Sequence, residues 1–183
     1  MVRLIPLAVL LAISELNGAG VGGCENANAV KAYAERVDAR IKQIKPRLFV
    51  QINAAAKWKE VKETPDSAEA MANVYVDKAG LPIAAFFSFA PGSKDWVLLA
   101  NYYFRADGGL AKKDELLNTS RGRLSVSRNS LFDCEGEVLR TTRQYLDLDT
   151  KRKKKPGADF QDESSPVYKR VQDLPFFAEW GRQ

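Results

Sequence analysis

The chain has 183 residues, a formal net charge of +5, 45% hydrophobic residues and no histidine. Without imidazole there is no Ser-His-Asp or Cys-His nucleophile pair, no histidine metal ligand and no usual acid–base side chain for neutral pH. No spacing of catalytic residues takes their place, so the composition argues for a packed, non-enzymatic protein with no cofactor and no metal site.

The chain opens on an export leader. Arg3 supplies a small positive start, and residues 4–13 are an apolar run too short to span a bilayer as a mature helix. Small residues from Gly18 to Gly23 lead to Cys24. The expectation is a signal peptide over residues 1–23 and one globular domain over residues 24–183. Removing 23 residues from 183 leaves 160, an ordinary single-domain size. The mature protein is then periplasmic, secreted or attached to an envelope membrane.

Two processing routes are open. A general signal peptidase that cuts after Gly20 or Gly23 releases a soluble protein. Alternatively, Val21-Gly22-Gly23-Cys24 resembles the lipobox of bacterial lipoproteins, which implies a lipid anchor on Cys24. The intervening residues 14–21, with the charged Glu15, depart from that pattern. Cys134 is the only other cysteine. Export into an oxidising space permits a Cys24–Cys134 disulfide, whereas acylation of Cys24 leaves Cys134 a lone thiol near a turn. The two fates exclude each other.

From residue 27 to 44, Val30, Tyr33, Ala34, Val37, Ile41 and Ile44 recur at helical spacing, with Asn26 or Asn28 placed to cap the start. Pro46 interrupts the pattern. Leu48, Phe49, Ile52, Ala55 and Ala56 then continue a helical stripe that ends near Lys62, and residues 67–72 are expected to add one helical turn. After Asn73 the period becomes two. Ile83, Ala85, Phe87 and Phe89 share one strand face, as do Leu98, Ala100, Tyr102 and Phe104. Leu124 and Val126 mark another strand, and residues 138–148 a long one with mixed faces. Asp-then-Gly turns recur between them, with glycines at 80, 109 and 136. The pattern predicts an α+β fold: an N-terminal helical segment packed on an antiparallel meander of about six strands in consecutive hairpins. A last strand is expected over residues 166–171. A capped turn over 173–180 follows, its aromatics buried against the sheet or exposed as a docking patch.

Lys151, Arg152, Lys153, Lys154 and Lys155 are five consecutive cations followed by Pro156-Gly157. They suit an anionic partner, a membrane surface or an acidic envelope polymer, or else form a solvated loop that keeps a sheet edge from pairing. Export argues against nucleic acid. Asp147, Asp149, Asp159, Asp162 and Glu163 lack the prescribed spacing of a calcium loop and instead counterbalance the basic run. The function that fits is a non-enzymatic binding module of a bacterial envelope whose partner is a protein, an anionic polymer or a membrane. One rival is a carrier of an apolar small molecule held between the helix and a curved sheet. Another is a hydrolase using Asp147 and Asp149 with Glu137.

Overall fold

A computed structural model describes residues 26–93, 95–158, 160 and 162–180. Residues 1–23, expected to be a leader, and Cys24 and Asp159 lie outside the described residues, so the expectations placed on them are taken up only as proposals. Helix α1 spans Ala27–Ile41, and the Asn26 side chain accepts hydrogen bonds from the backbone N–H groups of Asn28 and Ala29, both at 3.0 Å. Val30, Ala34, Val37 and Ile41 form its single buried face.

The helical expectation for residues 48–62 is overturned. They form a hairpin of β1 (Arg47–Gln51) and β2 (Lys59–Val61). Consecutive Phe49 and Val50 are both buried, which suits a strand covered on its two faces better than an amphipathic helix. Phe49 stacks on Phe176 at 4.2 Å between ring centroids. In the connecting loop the Gln51 side-chain amide donates to the Ala56 carbonyl at 2.7 Å. The strand pairing, the Phe176 contact and this local loop bond outweigh the helix propensity of Ala54, Ala55 and Ala56. The helical turn expected at residues 67–72 is likewise replaced, by the start of β3 (Ala70–Val76).

The remaining strands are β4 (Pro82–Phe89), β5 (Trp96–Phe104), β6 (Leu110–Thr119), β7 (Leu124–Phe132) and β8 (Val138–Asp147). All pairings are antiparallel, in one eight-stranded sheet of order β2-β1-β3-β4-β5-β6-β7-β8. The α+β meander therefore stands, with eight strands where six were expected; the difference is the β1–β2 hairpin.

Three of the hairpins repeat with a strict period. Their turns hold the positive-φ glycines Gly80, Gly108 and Gly136, 28 residues apart in both steps, while a fourth, Gly122, lies in the β6–β7 turn. Gly108, not the expected Gly109, occupies the left-handed position, and a Cβ there would also meet the Val171 side chain at 3.0 Å. Each turn begins 28 residues after the last, at Asp77, Arg105 and Asp133, and each starting residue donates to a carbonyl four residues on. The register also shifts at Tyr75/Val76, Tyr103/Phe104 and Leu131/Phe132. Hairpins β3–β4, β5–β6 and β7–β8 are thus one structural unit used three times.

Helix α1 covers part of one sheet face, packing on Ile83, Ala84, Tyr103, Ala111 and Leu131. The Tyr33 hydroxyl donates to the Phe104 carbonyl at 2.5 Å, and the Tyr103 hydroxyl donates to Asp38 at 3.0 Å. The C-terminal tail covers the opposite face. Its residues 166–171 contribute a single bridge, Arg170 to Gly109, in place of the expected strand. Two short 3-10 turns follow, Val171–Asp173 and Phe177–Glu179. Phe176 is buried among Phe49, Trp58 and Phe87, and Trp180 packs at the margin of this group.

Candidate functional site

On the helix side, β7 and β8 leave a trough that α1 does not fill. The register pairs Leu131 with Arg140, Asn129 with Thr142 and Ser127 with Gln144. Alternation turns all six side chains to the face where Leu131 meets the helix. One opening of about 310 Å³ lies between α1 and the sheet, bordered by Lys31, Glu35, Asp38, Lys112 and Arg140. A second, of about 500 Å³, continues past Ser127 and Gln144 to Lys153 and Lys154. Asn129 and Thr142 line both, so the two are ends of one trough with a hydroxyl and amide floor.

The predicted basic run is not a uniform loop. The backbone turns after β8, with the Asp147 carboxylate accepting from the N–H groups of Asp149 and Thr150, and the chain returns alongside the strand. Lys153 pairs with Leu146 in an isolated bridge, which places its side chain on the trough face. Lys154 is clasped by Asp147 at 3.0 Å. Lys151, Arg152 and Lys155 are exposed. Of the other trough cations, Lys112 is paired with Asp114 at 2.6 Å and Arg143 with Asp162 at 3.0 Å. Among the described residues, Lys31, Arg140 and Lys153 carry no ion pair, and they stand at successive points along the trough.

The carboxylates considered for hydrolysis are not brought together. Glu137 lies just before the start of β8 beside Lys169, whereas Asp147 ends the strand. Asp149 pairs with Arg123. Hydrogen bonds from the Thr150 N–H and from Lys154 hold the Asp147 carboxyl well below the usual carboxylate range, the opposite of what a general acid needs. Among the described residues no group of three Asp, Glu or Cys side chains is placed to hold a metal ion, and no helix is long and apolar enough to cross a membrane.

Cys134 lies in the β7–β8 turn and is not a free thiol; it is disulfide-bonded. Beneath the tail, Lys113, Glu115 and Arg128 are buried on the face opposite the trough. Glu115 accepts from both the N–H and the hydroxyl of Ser165, each at 2.8 Å, while Lys113 donates to the Ser165 carbonyl at 2.7 Å. Asp162 pairs with Arg128. This cluster fastens the tail.

Sequence reasoning missed the trough floor. Its one signal was the alternation of Ser127 and Asn129 with Val126 and Arg128, which becomes meaningful only once β8 is in register. Comparison with protein families, characterised proteins and solved structures gives no match, so the trough is interpreted from its own chemistry.

Proposed function

We propose that this chain is an exported, non-enzymatic binding module of a bacterial envelope that takes an anionic partner in the β7–β8 trough. The observation that carries this is the set of three cations outside any ion pair, Lys31, Arg140 and Lys153, above a floor of hydroxyl and amide groups, with Glu35 and Asp38 confined to the α1 end. Cations free of an ion pair beside hydrogen-bonding side chains favour carboxylate or phosphate groups. The polar lining gives an apolar ligand little surface to bury, so the carrier reading gains no support here.

Export also fits the chemistry of Cys134. Its bonded state and the presence of one other cysteine in the chain support Cys24 as its partner, in an oxidising compartment. That pairing leaves no sulfur on Cys24 for a lipid anchor. Intact mass of the protein from its native host tests this: two hydrogens fewer than the reduced mature chain is the expected result, and added acyl mass would refute it.

The binding reading is tested with polygalacturonate and with phosphatidylglycerol vesicles, against dextran and phosphatidylcholine vesicles as neutral controls. Salt-sensitive binding to an anionic probe is expected, weakened about tenfold or more by combining Arg140→Ala with Lys153→Ala. Equal binding to neutral and anionic probes would overturn it.

A further inference from the structure

Strand β8 ends the sheet, and its outer edge is only partly used. The Asp147 N–H donates to the Arg152 carbonyl at 2.8 Å, and the Lys154 N–H donates to the Tyr145 carbonyl at 3.1 Å. Residues 152–154 therefore sit on β8 as the beginning of a ninth antiparallel strand. The bonds also fix the phase of the edge. Tyr145 and Asp147 point their backbone groups outward, so by alternation Arg143 and Thr141 do too. The next chain residue in that register is Pro156, which has no N–H to give the Arg143 carbonyl. The self-made strand stops there, leaving the backbone groups of Thr141 and Arg143 at an exposed edge.

We infer that this edge receives an extended acidic segment of another protein, which continues the strand that residues 152–154 begin. The inference rests on the anionic-trough reading and gives its partner a class. A segment added there hydrogen-bonds to Thr141 and Arg143 through its backbone. Alternate side chains fall on the trough face, within the field of Arg140 and Lys153, where carboxylates are favoured. The same charges argue against a second copy of this chain as the occupant, because it would bring its own Arg140, Arg143 and basic run into the pairing.

The test uses a blocked peptide of alternating Glu and Val, the same peptide N-methylated on one backbone edge, and polygalacturonate. The expected result is peptide binding that weakens about tenfold or more on N-methylation, since charge is kept while ladder bonds are lost. Arg140→Glu is expected to abolish it. Thr141→Pro, which removes an outward N–H together with the hydroxyl 3.1 Å from that of Ser130, is expected to weaken it more than Thr141→Val, which removes the hydroxyl alone, while the circular dichroism spectrum is kept. Equal affinity of the methylated and unmethylated peptides would overturn the inference. So would a dimer in sedimentation that Thr141→Pro dissociates, because the occupant is then a second copy. If polygalacturonate binds through Arg140 and Lys153 while the peptide does not, the strand inference falls and the anionic trough stands. If neither binds and the vesicles do not either, both fall.

Discussion

The face of the sheet under the C-terminal tail is built in two chemistries. Across β1 to β5 one register row runs Phe49, Ala72, Phe87, Ala100, and the tail answers with Phe176. The same row continues across β6 to β8 as Glu115, Arg128, Arg143, and there the tail answers with Asp162 and Ser165. Both halves hold the tail, but they differ in what fails when a part is removed. The aromatic half loses buried area in proportion to what is deleted. The ionic half depends on which charges are left without partners.

That contrast sets an order of effects for purified variants in urea unfolding. Phe176→Ala is expected to cost about 3–5 kcal/mol, as a large core truncation. Glu115→Ala is expected to cost a similar amount, about 3–5 kcal/mol, because it leaves Lys113 buried without a carboxylate, Arg128 with Asp162 alone, and Ser165 without its acceptor. Arg128→Met separates the two logics. The Nε and Nη1 of Arg128 have no hydrogen-bond partner, Glu115 keeps Lys113, and Asp162 keeps Arg143. Its cost is expected to stay below about 1 kcal/mol in spite of the burial, and a loss as large as that of Glu115→Ala would erase the distinction.

Tyr102 stands at the seam between the halves, its hydroxyl donating to the Pro166 carbonyl at 2.6 Å and lying 2.8 Å from the Ser165 hydroxyl. Tyr102→Phe is expected to cost about 1–2 kcal/mol. The smallest effect belongs to Asp114 on the opposite face, whose carboxyl is pushed up by burial against the lowering influence of Lys112. A raised folded pKa means that the associated stability is complete below the unfolded value of 3.8 and is lost as pH rises through the folded value. Asp114→Asn is therefore expected to exceed the native chain in stability near neutral pH by less than about 1 kcal/mol, the gap closing in acid. A gap that widens in acid would reverse the assigned sign.

The elements legible in the sequence are those whose burial follows a single period. The face of α1 and the strand face Leu98, Ala100, Tyr102, Phe104 are of this kind, and the structure buries both sets. The β1–β2 hairpin was not legible, because consecutive Phe49 and Val50 are both buried and the partner that covers Phe49, Phe176, lies far along the chain. The turn glycine was misplaced by one residue, since Gly108-Gly109 offers two candidates and only the contacts of the hairpin choose between them. As for the site, the basic run was conspicuous, yet only Lys153 and Lys154 of its five residues line the trough. Arg140 and Lys31 join them through register and helix packing, which one-dimensional spacing does not record.

The threefold use of a 28-residue hairpin has a consequence for how this architecture tolerates change in length. Each unit spans two strands and an even number of residues, so excising or duplicating a whole unit returns the chain to the same edge, in the same direction, with inward and outward side chains undisturbed. A gain or loss of a single residue within a strand would turn everything beyond it inside out. The sheet is thus built to grow or shrink by strand pairs.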